Sequence, residues 1–465
     1  TMFMRYYADL HIHSRFARAC SPQLTPDNID LWCRIKGLQI VATGDFTHPK
    51  WFSELEQKLE AIGNGLYRLK SEFRINDQRF TPVSQIAPQF ICGTEVACIY
   101  KHEGKVRRVH HCIYAPSLEI VAKINQEFEH RGKNLKADGR PILGLSSQEL
   151  LQIILEIDER NFLIPAHIWT PWFAIFGSKS GYNSVKECFG DLSKHIFALE
   201  TGLSSDPTMN WRVSALDNYA LVSHSDAHSL PNLGREADIF EGQELSFDLI
   251  KQALQNGNPQ ARVKALLNNM PRTTLGSGHR PNLGGGLVGK NRNTGNQSLG
   301  QLSLVGTVEF FPAEGRYHFD GHRDCKIKMS PKESAKHKNI CPKCGRVLTI
   351  GVLNRVEELS DRSVNHQPSG ALPFTSLIEL DKVIAESLGV KGRTNKAVAK
   401  EYWQLVSLGG SEMNVLMNLD YEKLASISQE NVVEAIKRLR ERKVEIEPGY
   451  DGEYGKVKLF FDKES

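Results

Sequence analysis

No apolar run in this chain approaches the ~20 residues that a membrane helix needs, so a spanning role is not expected. The opening TMFMRYYADLHIHS lacks a cationic head followed by an apolar stretch, and does not read as a signal peptide. Nine cysteines are an odd number without framework spacing, which argues against a disulfide-stapled secreted domain and for a reducing cytoplasm. Six of them (Cys20, Cys33, Cys92, Cys98, Cys112 and Cys188) lie scattered and read as small buried hydrophobes. There is no internal repeat, and no Ser/His/Asp or Cys/His grouping suited to nucleophilic catalysis. A marked excess of either charge is lacking too, with 58 Lys/Arg against 54 Asp/Glu and a net of +4.

What is present is a soluble globular composition, 40% hydrophobic and 24% charged, over 465 residues, a length that suggests roughly three domains. Residues 1–267 alternate strand-like runs (YYADLHI, LQIVATGD, FICGTEVACIY, VRRVHHCIYA, FLIPAHI, IFALETG, YALVSHSDAH) with amphipathic helices. One helix is announced by Thr25 as N-cap, Pro26 at its first position and Gly37 just past its end. Such alternation implies parallel strands in a barrel or a doubly wound sheet. The polar chemistry falls late in these runs, where a parallel α/β barrel carries its active site, so a barrel is preferred. Residues 268–306 are Gly/Asn-rich without periodicity and read as a linker. A Cys/His segment follows over 307–367, and 368–465 is helical by periodicity.

His11 and His13, one residue apart on a strand, place both imidazoles on one face about 7 Å apart. Asp45, Glu95, His110, His111, His167, Asp226 and His228 complete a series of His and carboxylate groups in these runs. A lone histidine is usually a satisfied core or surface group; joint occurrence makes these a metal constellation. Mixed N/O donors suit zinc, manganese or iron, and the several carboxylates would tolerate magnesium. The constellation resembles the polymerase-and-histidinol-phosphatase (PHP) superfamily of distorted (β/α) barrels, which implies up to three ions. On that resemblance His11, His13, Glu95 and Asp226 hold the first ion and are the catalytic residues, with Glu95 bridging. Asp45 and His228 serve a second, and His111 or His110 with His167 a third. Two positions depart: relatives usually carry His where Asp45 stands, and often a further ligand near Ala19.

The stretches IPAHIWTPWFAIFGSKSGYNS, ALETGLSSDPTMNWR, SHSDAHS, RYHFDGHRDC and IEPGYDGEYGK narrow this to a resemblance to the endonuclease Q family of DNA repair nucleases. That resemblance runs nearly end to end. It implies metal-dependent hydrolysis of the phosphodiester 5′ of deaminated bases (hypoxanthine, uracil, xanthine) and abasic sites, in a cytoplasmic and monomeric protein. The residues themselves agree in kind. Trp169, Trp172, Phe173 and Phe176 follow His167, and with Lys179 in a Gly/Ser segment they suit either a base-stacking loop or barrel-rim core. Thr201, Ser204 and Asn210 suit either hydrogen bonds to a base or phosphate, or helix capping.

His322-x2-Cys325, fifteen residues, then Cys341-x2-Cys344 has zinc-ribbon spacing and predicts a structural zinc. From His322 to Arg346 eight Lys/Arg face two Asp/Glu, so Lys326, Lys328 and their neighbours form either a DNA-backbone patch or a solvated face. Lys437, Arg438, Arg440, Arg442 and Lys443 offer a second such face. Gln301-Leu302-Ser303-Leu304 resembles a sliding-clamp peptide, but is read as the first strand of the zinc module. The expected architecture is α/β, a distorted PHP-type barrel followed by a zinc-ribbon-like module and a small helical domain. The runner-up function is a phosphatase or phosphodiesterase acting on small phosphorylated molecules.

Overall fold

The computed structural model describes residues 3–80, 87–268 and 301–460, so most of the Gly/Asn-rich segment lies outside the described residues. The fold is a distorted α/β barrel. Its strands are β1 (Met4–Asp9), β2 (Ile40–Ala42), β3 (Gln89–His102), β4 (Lys105–Ala115), β5 (Phe162–Pro165), β6 (Ala198–Glu200) and β7 (Ala220–Val222). β1, β2 and β3 pair in parallel, β3, β4 and β5 antiparallel, and β6 with β7 in parallel. Ile168 donates its N–H to Glu200 O across the β5–β6 seam at 3.0 Å. A parallel bridge between Ile12 and Ala227 closes the ring.

The parallel start is dictated by the β1–helix–β2 crossover. Helix Pro26–Lys36 begins where the Thr25 side chain accepts from Asn28 N and stops at Gly37, which turns left-handed at φ +87°. The antiparallel middle departs from the all-parallel expectation. Only Glu103 and Gly104 join β3 to β4, at φ +49° and +74°. Two residues cannot span a parallel crossover, whereas two successive positive-φ residues suit a tight hairpin.

Three further strands extend the sheet outward from β1. β8 (Ala237–Gly242) runs antiparallel to β1, and β9 (Ser303–Glu309) antiparallel to β8. β10 (Phe374–Ser376) then pairs in parallel with β9. The segment expected to open the zinc module is therefore a strand of the barrel sheet, because its alternate leucines fit the core: Leu302 and Leu304 are both buried. The two leucines of the clamp-like tetrapeptide are thus inside.

Beyond β9, strands Asp320–His322 and Ile327–Met329 form the ribbon of the Cys/His module. Helices Leu380–Ser387, Lys396–Gly409, Tyr421–Ile427 and Glu430–Arg440 follow, and share one apolar core with the barrel. The buried pair Lys36–Glu412, 2.7 Å apart, ties them to it. The final hairpin returns to the module, with Phe319 N donating to Gly449 O at 3.0 Å. Two basic residues of the tail are engaged in packing: Arg440 donates to the carbonyls of Val415 and Leu416, and Arg442 to Ser376 Oγ. Among the described residues, no helix is long and apolar enough to cross a membrane.

Candidate metal centre

The site gathers residues at the carboxyl ends of β1, β2, β5 and β7 and from the middle of the β3–β4 hairpin. β1 runs on through His11 and His13, whose ring centroids are 5.5 Å apart, while Ile12 between them and Leu10 before them are buried in the core. Asp45, His167 and Asp226 follow β2, β5 and β7, and all three adopt left-handed backbone, at φ +43°, +31° and +47°. Non-glycine residues seldom do so, and such conformations persist where surrounding contacts impose them.

The hairpin register decides between the adjacent histidines of β4. Glu95 pairs with Cys112 and Ala97 with His110, so period-two alternation puts Glu95, His110 and Cys112 on one face. His111 faces the other way, with Nε2 2.8 Å from Ser147 Oγ and its ring against Phe189. The structure brings His110 into the centre and leaves His111 outside it.

Glu95 sits in the middle. Its Oε1 lies 2.7 Å from His110 Nδ1 and 3.1 Å from His167 Nε2. Its Oε2 lies 3.3 Å from His13 Nε2, 3.6 Å from His11 Nε2 and 2.9 Å from an Arg140 N–H. Asp226 Oδ1 is 3.0 Å from His13 Nε2 and 3.7 Å from His11 Nε2. Two donor groups result, His11/His13/Glu95/Asp226 and Glu95/His110/His167, each with its donor atoms within 4.8 Å of one another. Glu95 belongs to both, one oxygen toward each.

These residues fit metal ions. His11 Nε2 is buried and has no hydrogen-bond partner. The opposite ring nitrogens are held by oxygen partners: His11 Nδ1 by Glu200 at 3.0 Å, His13 Nδ1 by Asp45 at 2.9 Å, and His167 Nδ1 by Thr170 Oγ1 at 3.0 Å. This backing is the pattern of metal-ligating imidazoles. Charge agrees. Burial favours the neutral acid of Glu95, but His110, Arg140 and His11 outweigh it and hold the carboxyl well below its usual range. Burial pushes His110 down to about 4, against the pull of Glu95.

Asp45 is not among the inward donors. Its Oδ1 meets the outer nitrogen of His13 and its Oδ2 accepts Ser14 N–H at 2.6 Å, so it orients His13. His228 lies alongside, its ring 4.7 Å from that of His13 and its Nδ1 2.8 Å from Asp226 O. Sequence reasoning missed Glu200 and Arg140, which touch the centre directly.

Of the expected substrate-loop aromatics, Trp169 and Phe176 are only 1% and 2% exposed and pack on each other, with Trp169 Nε1 donating to Asn210. Asn210 is spent on Trp169 and Ser205, and Thr201 on Glu309 and Val222 O. Those four are core: Trp169 and Phe176 are buried just past the Ile168–Glu200 seam, and Thr201 and Asn210, which follow β6, spend their polar groups inside. Phe173 is half-buried with its ring 4.5 Å from that of His110, Trp172 is 38% exposed, and Lys179 is exposed. Ser204 is half-buried. The loop is clamped from outside by Arg355, which donates to Phe176 O, Tyr182 O and Asn183 Oδ1, and by Arg107 on Gly181 O.

Away from the barrel, His322, Cys325, Cys341 and Cys344 converge within 4.8 Å. Gly345 takes φ +72° beneath them and donates to Cys341 O at 2.9 Å. The four form a closed N/S set of the kind that holds structural zinc. Lys326 is exposed beside them, whereas Lys328 is half-buried between Glu447 and the Tyr450 ring.

The family described as the MJ0043 C-terminal domain matches residues 379–443, within the helical region. The uncharacterised protein MJ0043 of Methanocaldococcus jannaschii is 30% identical over 296 residues, covering 62% of this chain but 31% of that protein, so the chain spans about a third of that relative's length. The uncharacterised protein YqxK of Bacillus subtilis is 27% identical over 98% of this chain and 99% of its own. The lesion-specific endonuclease PfuEndoQ of Pyrococcus furiosus superposes with a TM-score of 0.76 at 29% identity, covering 98% of this chain and 95% of that one. An endonuclease Q solved with a 27-mer duplex carrying an abasic lesion at its active site gives the same TM-score and identity over 99% and 98%. From barrel to closing hairpin, the chain is similar in fold and sequence to the solved endonuclease Q structures.

Proposed function

We propose that this chain is a DNA repair endonuclease that hydrolyses the phosphodiester 5′ of deaminated bases (hypoxanthine, uracil, xanthine) and of abasic sites. The observation that carries the reading is Glu95, whose two oxygens each face a separate set of imidazoles. His11, His13, Glu95 and Asp226 would hold one divalent ion, and Glu95, His110 and His167 another. Zinc, manganese or magnesium suits such donors. When bound, paired ions bring the pKa of a water toward neutrality and offset charge on the attacking and leaving oxygens of a phosphodiester.

The chain's own groups supply the remainder. Arg140, 23% exposed, sets a fixed cation beside Glu95 where a phosphate oxygen can meet it. Phe173 offers a ring face beside His110, and Trp172, exposed on the same loop with its ring against Tyr317, offers another, for an extruded base or an unpaired neighbour. Lys326, Lys332, Lys336 and Lys343 are exposed around the four-ligand cluster, where a structural zinc would hold them against the DNA backbone.

The chain with Mn²⁺ or Mg²⁺ is expected to nick a duplex bearing one inosine, uracil or abasic site, on the 5′ side of the lesion, and to spare the undamaged duplex. Equal cutting of both duplexes would sink the lesion reading. Turnover of small phosphoesters alone would favour the phosphatase alternative.

A further inference from the structure

Behind the centre lies a chain of buried charged groups. Glu200, the last residue of β6, has no exposed surface and reaches both donor sets. Its Oε1 accepts the backbone N–H of His167 at 2.9 Å and lies 3.1 Å from His11 Nδ1. Its Oε2 lies 3.0 Å from His11 Nδ1 and 2.9 Å from His224 Nδ1. His224 Nε2 is 3.1 Å from Asp238 Oδ2, and Asp238 Oδ1 accepts Ser223 N–H at 3.0 Å. With a carboxylate at each ring nitrogen, His224 donates from both, so it holds Glu200 and Asp238 together.

Burying such a series costs desolvation, and apolar residues of similar volume often stabilise as well or better. Stability alone is therefore a poor account of it. The local backbone points to a use. Gly202, at φ +62°, lies so close to His167 that a Cβ there would stand 2.6 Å from the His167 Cβ. The chain just past Glu200 is thus pressed onto the very residue that Glu200 holds. One carboxylate fixes the ring of His11 in the first donor set and the backbone of His167 in the second.

We propose that Glu200, backed by His224 and Asp238, is a positioning residue that sets His11 and His167 relative to each other and so governs the affinity of both metal subsites at once. This rests on the metal-centre reading above. Partners behind metal ligands commonly carry about 10–100-fold of metal affinity, and an ordinary one acts on a single ion. Glu200 acts on two.

The test uses the full chain, stripped with a chelator and retitrated with Mn²⁺, with free ion followed by electron paramagnetic resonance. Wild type should take up two Mn²⁺ in the barrel. Glu200→Gln keeps size and an acceptor for His167 N–H but removes the charge; it should weaken both sites about 10–100-fold while Tm stays within a few degrees. His224→Gln should weaken both to a lesser degree, and the control His110→Asn should remove one site only. Wild-type affinity in a folded Glu200→Gln protein, or a loss confined to one subsite, would overturn the proposal. Loss of the fold in both Glu200→Gln and His224→Gln would overturn it too, since the chain of charges would then serve the barrel. Failure of wild type to bind two ions would count against the metal-centre reading instead.

Discussion

Arg355 stands some 170 residues from the loop it holds, which makes Arg355→Met a sharp probe of how that loop is kept in place. Methionine keeps much of the apolar stem and removes the guanidinium. Its Nε donates to Phe176 O at 3.0 Å, and Nη2 donates to Tyr182 O at 3.0 Å and to Asn183 Oδ1 at 2.7 Å. The contact with exposed Glu358 is left out of the sum, because exposed pairs contribute little. The bond to exposed Asn183 is left out on the same ground; the two backbone carbonyls lose charge-assisted bonds at about 1.5–3 kcal/mol each, a local loss of about 3–6 kcal/mol. At ~1.4 kcal/mol per factor of ten, the open fraction of the loop should rise at least about a hundredfold. Hydrogen exchange reads this directly, since Phe176, Gly181 and Tyr182 donate their N–H groups within the 168–182 segment. Protection there should collapse while the β3–β4 ladder stays protected. Nicking of lesion DNA should fall more than hydrolysis of bis(p-nitrophenyl) phosphate, which has no base to seat. Unchanged exchange at 176–182 would refute the reasoning, and so would an even loss of protection across the barrel.

Three further outcomes are expected. Glu95→Gln removes the charge shared by both donor sets and leaves Arg140 without its partner, so Mn²⁺ affinity should drop by at least about 100-fold and single-turnover nicking with it; a wild-type rate would refute the shared role. Buried Glu309 is pushed up to about 8 by desolvation, against its bonds to Thr307 and Thr201. An unfolded carboxyl ionises near 4.3, so between roughly pH 4.5 and 8 the folded state keeps a proton that the unfolded state has lost, and stability falls as pH rises, by up to ~1.4 kcal/mol per pH unit. Urea denaturation should therefore show wild type losing ground to Glu309→Gln from pH 6 to 8, and a pH-independent difference would be the contrary result. Cys341→Ser should lower zinc content and weaken DNA binding, and zinc content equal to wild type would refute the closed four-ligand site.

The metal centre was legible wherever its residues obey a short-range rule. His11 and His13 are set by strand alternation, and Asp226 by its place at the end of a strand. His110 and His111 were not separable from spacing, because the choice depends on which residue of β3 each one faces. The cue for the hairpin was nevertheless present in KHEGK, a gap too short for anything but an antiparallel return. Glu200 and Arg140 left no such cue. In ALETG the glutamate looks like any strand residue, and it gains meaning only when β6 is laid beside β5 and His11 comes to within 3.0 Å. Arg140 sits in an irregular segment with no periodicity to read. Trp169 and Phe176 illustrate the opposite error: aromatic density after a metal ligand suggested a substrate surface, but the core claimed those two, leaving Phe173 beside His110 and Trp172 exposed on the loop.

The strand Ser303–Glu309 bears on how the protein is made. Until it arrives, β8 presents an unpaired edge whose N–H and C=O groups can template pairing with another chain. Synthesis runs from the N-terminus, so all seven ring strands leave the ribosome while that edge is bare, and Phe374–Ser376, which covers β9 in turn, emerges later still. The nascent barrel therefore has to wait for its own downstream chain, and a transcript cut short near residue 268 should yield an aggregation-prone fragment in place of a small catalytic barrel.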